Sequence, residues 1–150
     1  MTIFNSFNSS ASALTAQRLR MDVVSSNIAN AQTTRATVNE NGDFEPYRRK
    51  MVSLQSENQS FQSFLHKARS KSSHAAGVKV NRITEDAEPF KAVYNPVHPD
   101  ADENGYVQMP NVDPLKEMVD LMGATRSYEA NVTALNASKT ILMKALEIGK

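Results

Sequence analysis

The chain has 150 residues, 40% of them hydrophobic and 22% charged, with six Phe, four Tyr and no Trp. That suits one domain, or one small domain with extensions, around a modest core. A formal net charge of +1 offers no global field for nucleic acid or an anionic membrane. The lack of any Cys excludes disulfides, thiol catalysis and thiolate metal sites.

The N-terminus, Met1 to Ser10, has neither a basic region nor a useful apolar core, so no cleavable secretory signal is expected. No stretch approaches the roughly 18 apolar residues of a transmembrane helix, and direct membrane insertion is not expected. The protein is expected in the cytosol unless another export route reads it.

From Ile3 to about Gln32 there is no Gly or Pro, and the spacing predicts a helix. Phe7, Leu14, Met21 and Ile28 recur every seven residues, the repeat of a seam that faces another helix. Ala11, Arg18 and Ser25, four residues after the first three, are small or polar, so the stripe is narrow. About 29 residues would span roughly 43 Å, longer than a small domain is wide. Near its end, Asn27 and Asn30 stand in a Ser25–Ala31 run; Asn is a poor interior residue and a good terminator of helices. Their amides are expected either to cap a frayed end or to bond neighbouring helices and set register.

Residues 35–110 read as a small β-rich middle domain, between a helical segment 1–34 and another at 111–150. Five of the six prolines lie between Thr33 and Pro110. Tyr47–Leu54, Val78–Thr84, Phe90–Tyr94 and Tyr106–Met109 have the length, residue types and turn boundaries of strands in a small antiparallel sheet. Gln55–Ala76, rich in Ser and Gln, is expected to be a mobile loop with a short helical turn at Phe61–Lys67. Charge is segregated here. Tyr47–Arg82 holds eight basic residues and one acid, for +7, and Ile83–Asp113 holds seven acids and one base, for −6. Two outcomes stay open: complementarity within the domain, or head-to-tail attraction between subunits.

In the C-terminal segment Asp113 is placed to cap a helix that starts at Pro114. Leu121, Tyr128, Leu135 and Leu142 again recur every seven residues, beside a row of mostly small side chains at Ala124, Asn131, Ser138 and Ala145. Arg126 and Asn131 put polar groups into this pattern next to Tyr128, an apolar anchor with a hydrogen-bonding tip. The expected fold class is α+β: two long terminal amphipathic helices pairing as a coiled-coil-like bundle, with a small antiparallel β middle domain. The apolar stripes require partners, either each other in a closed hairpin or further helices from other subunits.

Nothing in the chain makes a convincing catalytic, cofactor or metal site. Asp100–Gly105 matches the first half of an EF-hand loop, but its twelfth position is Asn111 where a bidentate Glu is needed. The Asn104-Gly105 pair reads more simply as a tight turn. His66, His74 and His98 share no metal-ligand spacing, and no G-x-S-x-G or Gly-rich phosphate loop occurs. Arg48-Arg49-Lys50 with one aromatic is a solvated strand edge rather than a nucleic-acid patch.

Ser12–Gln17 followed by Ser26–Ala31 resembles the N-terminal signature of the bacterial flagellar axial proteins, the rod and hook family. The runs Val93–Pro96, His98–Ala101, Gly105–Val107, Pro110–Asp113, Glu117–Met122 and Arg126–Asn131 are similar to its proximal-rod branch, so the likeness extends nearly end to end. Many axial proteins carry Gly shortly after the first helix, where this chain has Arg35. The resemblance implies a structural, non-enzymatic rod subunit of the flagellar basal body, exported by the flagellar type III apparatus and packed against other rod proteins and copies of itself. It also implies terminal helices that order on assembly, with Phe7, Leu14, Met21, Asn27, Ile28, Asn30, Leu121, Arg126, Tyr128, Asn131, Leu135 and Leu142 as packing residues. The rival expectation is a soluble helical adaptor that binds one partner without polymerising.

Overall fold

The computed structural model describes residues 2–39, 42–57, 65 and 77–149. Among the described residues helix α1 runs Thr2–Ala29 and helix α2 runs Pro114–Ile148, with six short strands between them. The architecture is α+β, as the sequence predicts.

Local chemistry sets the ends of both helices. Past Ala29 the chain tightens: Ala31 N donates to Ile28 O at 3.2 Å, while Asn30 Nδ2 donates at 2.9 Å to the Ser26 carbonyl, which also accepts from Asn30 N at 3.1 Å. Asn30 therefore caps the C-terminus of α1. At the start of α2 the Asp113 carboxylate accepts from Leu115 N at 3.1 Å, with Pro114 in the first helical position.

The β region departs from the single sheet expected: it is divided into three two-stranded sheets. β1 (Thr37–Val38) pairs antiparallel with β2 (Phe44–Glu45), a pair the sequence reading misses. Gly42, the second residue of an Asn-Gly pair, lies at φ +89° in the connection, which is the signal for that hairpin. β3 (Lys50–Ser56) pairs with β4 (Val78–Glu85), and bonds Glu57 N to Gly77 O and Asp86 N to Arg49 O close its two ends. The first strand thus begins three residues later than Tyr47 and takes in Gln55 and Ser56, which were expected to be loop. Pro46 and the bonds of Tyr47 and Arg49 hold that entry out of the ladder. The rest of the Gln55–Ala76 loop, including the helical turn expected at Phe61–Lys67, lies outside the described residues except Glu57 and Leu65.

β5 (Lys91–Tyr94) and β6 (Tyr106–Met109) form an antiparallel hairpin with Val93 opposite Val107 and Tyr94 opposite Tyr106. Its tip closes through Asn95 N to Gly105 O and Gly105 N to Asp102 O. Gly105 sits at φ +76°, and a Cβ there would lie 3.0 Å from the Tyr94 ring. Only Gly fits that turn without strain.

The chain divides into two units. The first comprises Met1–Met21, Ser53–Arg82 and Gly123–Lys150. Within it Ala16 and Ala124 are buried, and Thr125 Oγ1 donates to Met21 Sδ at 3.5 Å, joining α1 to α2. Ser12 Oγ accepts from Val78 N at 3.0 Å and so ties α1 to β4. The second comprises Asp22–Val52 and Ile83–Met122. Its buried residues are Val23, Val24, Pro46, Tyr47, Val107, Pro110 and Val112, together with three polar ones, Asn27, Asn111 and Glu117. There Asn27 bonds Glu117, so the end of α1 is joined to the first turn of α2 within one chain.

Candidate functional site

The side chains of the sevenfold repeats take one grade of cover. Phe7, Leu14, Met21, Tyr128, Leu135 and Leu142 in the first unit are half-buried, as are Ile28 and Leu121 in the second. None is fully covered. In the first unit the small residues Ala16 and Ala124 are the buried ones described on the two helices, because small side chains let backbones approach closely. Leu115, Met118, Val119 and Met122 make a second apolar row on α2, spaced i, i+3, i+4, i+7, and all four are exposed. Ile141, Met143, Leu146 and Ile148 are exposed near its C-terminus. A helix with apolar rows left in water is built to meet further protein.

The polar positions divide differently. Asn27, expected either to cap the helix end or to bond a neighbouring helix, is 1% exposed and makes four hydrogen bonds. Its Nδ2 donates to Lys50 O and to Glu117 Oε2, both at 2.9 Å; its Oδ1 accepts from Lys50 N at 2.9 Å and Tyr47 Oη at 3.0 Å. That saturates two donors and two lone pairs. Asn30 caps α1 and accepts from Thr33 Oγ1 at 3.2 Å. Asn131 donates to Ser127 O at 2.8 Å, and Arg126 is exposed.

Around Asn27 the structure assembles a joint the sequence reading misses. Glu117, from the first turn of α2, is 0% exposed. One of its oxygens accepts from Asn27 and the other from Arg49 Nε at 2.6 Å. Arg49 also reaches Asp86 at 3.2 Å and Asp120 at 3.6 Å. Asn111, the residue that breaks the calcium pattern, accepts from Arg49 N at 2.8 Å and donates to Glu88 O at 3.1 Å. One carboxylate thus joins α1, the entry to β3, and α2. Burial disfavours the charge on Arg49, but its bonds to Glu117 and Asp86 outweigh this and hold its pKa above the ordinary value. The Glu88 N–H and then Arg49 hold the Asp86 carboxyl below its usual range. A buried charge is tolerated only when bonded in this way. A weak sequence signal existed: Glu117 lies seven residues before Ala124, on the small inner row of α2.

A second tie explains Arg35. The Arg35 guanidinium forms a two-pronged ion pair with Asp100, Nε at 2.7 Å, while Thr34 Oγ1 donates to the other Asp100 oxygen at 2.8 Å. Those bonds, Arg35 first and Thr34 second, depress the Asp100 pKa. Arg35 also lies 5.1 Å from the centre of the Phe44 ring. No described non-Gly residue has a positive φ, so the backbone here does not require the Gly of other axial proteins. The carboxylate that heads the calcium-like run is occupied by an arginine.

A family model described as flagella basal body rod protein matches residues 7–37, and one described as flagellar basal body rod FlgEFG protein C-terminal matches 103–148. The two spans contain Asn27 and Glu117, the partners that join the helices, whereas Tyr47 and Arg49 lie between them. The chain is 67% identical to the flagellar basal-body rod protein FlgC of Bacillus subtilis, with 100% of each chain covered. It is 41% identical to the FlgC protein of Salmonella typhimurium, again over 100% of both. With that of Borreliella burgdorferi it shares 40%, over 99% of this chain and 98% of the other.

Proposed function

The chain belongs to the FlgC family of flagellar basal-body rod proteins and is a structural subunit of that rod, and from this premise we propose that it assembles through its terminal helical segments, 1–34 and 111–150, into the proximal part of the drive shaft. Its partners are other rod proteins and copies of itself. It reaches them through the flagellar type III export apparatus. No helix among the described residues is long and apolar enough to cross a membrane.

The observation that carries the reading is the incomplete cover of the helices. Phe7, Leu14, Met21, Ile28, Leu121, Tyr128, Leu135 and Leu142 keep part of their surface in water. Burying the remainder releases roughly 25 cal/mol per Å² of apolar area, and neighbouring helices supply the cover. Free helices with such narrow stripes are marginal, because helix stability depends on tertiary packing. Folding and assembly are then coupled: ordering lowers affinity but keeps the free subunit exportable. Asn27, Asn30, Arg126 and Asn131 contribute by fixing helix ends and register.

Leu135→Asp tests the proposal. It puts a charge on the half-buried α2 seam, away from the joint around Glu117. The variant should be exported yet absent from isolated basal bodies, with its Arg35–Asp100 and Asn27–Glu117 contacts intact by NMR. Normal incorporation and motility would overturn the packing role.

A further inference from the structure

A single peptide group at the start of β4 joins three elements of the first unit. The Gly77–Val78 peptide turns its carbonyl to the end of β3, accepting from Glu57 N at 2.8 Å. Its N–H points the other way and donates to Ser12 Oγ of α1 at 3.0 Å. Ser12 is half-buried, and its own proton goes to Ser9 O at 2.8 Å, one turn back in the helix. That bond fixes the hydroxyl and leaves its lone pairs for the strand. Gly77 makes the close approach possible. A Cβ there would lie 2.6 Å from Ser12 Oγ and 3.2 Å from Ser12 Cβ. It would also lie 2.5 Å from Glu57 Oε2, but that oxygen is the tip of a flexible side chain and can swing aside. Ser12 Cβ is fixed to the helix and cannot.

Local preference at both positions runs the other way. Ala forms helix better than Ser. Gly77 does not lie at positive φ, so its backbone would accept Ala, which restricts the unfolded chain more than Gly does. We propose that the β3–β4 pair straps α1 through this peptide, so that the Ser9–Ala16 part of α1 and the base of β3–β4 order and loosen as one cooperative unit. Ser12, which opens the Ser12–Gln17 signature, is the helix side of the strap, and Gly77 is the strand side. A helix with so narrow an apolar stripe is marginal alone, and the strap supports its N-terminal half from within the same chain. The strap lies wholly within the first unit and is independent of assembly in the rod, so its test and that of Leu135→Asp fail separately.

Amide hydrogen exchange of the full-length chain tests this, followed at Ser9–Ala16 and at Glu57. Ser12→Ala removes the acceptor of Val78 N, and Gly77→Ala drives a Cβ into Ser12. Each should speed exchange in both segments by the same factor, roughly fivefold for one lost hydrogen bond, although each brings in the residue that local preference favours. Thr15→Ala is the control. Thr15 Oγ1 makes a similar bond to Ala11 O at 3.1 Å but is exposed, so its loss should slow exchange or leave it unchanged. If Ser12→Ala also slows exchange or leaves it unchanged, or if Thr15→Ala speeds it equally, α1 follows its own propensity and there is no strap. If α1 responds and Glu57 does not, the two are not one unit. A second measurement uses the cysteine-free background. The Ser12 Cβ and a Cβ built on Gly77 lie 3.2 Å apart, near the roughly 3.5–4.5 Å of a disulfide. Ser12→Cys with Gly77→Cys should therefore close within one chain under oxidised glutathione. The closed chain should exchange roughly tenfold more slowly at Ser9–Ala16 and at Glu57 than the same chain reduced. Bridges formed only between chains, or closure that slows one segment alone, would overturn the proposal.

Discussion

Replacing Asn27 by Ala removes the side chain that joins α1 to both β3 and α2. Four groups lose a partner: Lys50 N, Lys50 O, the Tyr47 hydroxyl and one Glu117 oxygen. They do not lose equally. Tyr47 Oη keeps Ser26 Oγ at 3.4 Å, and Glu117 keeps Arg49. The two main-chain groups of Lys50 are left without their bond at about 1–3 kcal/mol each. A water entering the vacated, polar-lined space would recover part of this. The net expectation is a loss of about 3 kcal/mol, a large share of the roughly 5–15 kcal/mol that holds a domain folded. In urea unfolding followed by circular dichroism, the midpoint should fall by roughly 1–2 M with the slope unchanged. Asn30→Ala is the control. Its amide serves only the frayed end of α1, bonding Ser26 O and Thr33, so it should cost no more than about 1 kcal/mol. Equal losses for the two variants, or less than about 1 kcal/mol for Asn27→Ala, would refute the claim that this Asn is the joint's central member.

Glu117→Gln keeps the shape but sets an amide donor against Arg49 or Asn27 and removes the charge opposite Arg49. It should destabilise by about 2–4 kcal/mol, read from the same urea curves. Two glycines should respond with opposite sign to alanine. Gly105→Ala forces a Cβ against Tyr94 and Pro96 at a positive φ and should cost about 1–2 kcal/mol. Gly123→Ala meets nothing within 4 Å in mid-helix and should stabilise by roughly 0.5–1 kcal/mol in thermal melts. The pKa values of Asp86 and Asp100 are depressed in the folded state, so their contribution is complete above the ordinary Asp value near 3.9. It is lost as pH falls through the lower folded values. Asp100→Asn should therefore flatten the decline in stability below about pH 4, and NMR titration should place the Asp100 carboxyl below the ordinary range.

The two helices were legible because their signals are local. The absence of Gly and Pro, the sevenfold apolar recurrence and the Asp113-Pro114 start can each be read within a turn or two. The strands Val78–Thr84 and Tyr106–Met109 were legible for the same reason, through β-branched and aromatic runs between turn residues. The first strand was read three residues early because Tyr47, an aromatic after Pro46, has the character of a strand residue. The bonding of Tyr47 and Arg49 goes instead to Asn27, Glu117 and Asn111, and no local rule reports that. Asn27 itself was singled out, as a cap of the helix end or a bond to a neighbouring helix, but its partners Tyr47, Lys50 and Glu117 were not.

By itself, then, the sequence determined where the chain is helical, where it turns and which faces are apolar, since all of these follow from side chains a few positions apart. Only the tertiary structure decided which polar residues become the joint. Asn27 and Glu117 are 90 positions apart, and Arg49 lies 68 from Glu117. An exposed-looking Glu, a strand-edge Arg and a helix-breaking Asn become one buried, saturated network only when two helix ends and a strand entry are brought together. At that point desolvation makes each of them depend on the other two.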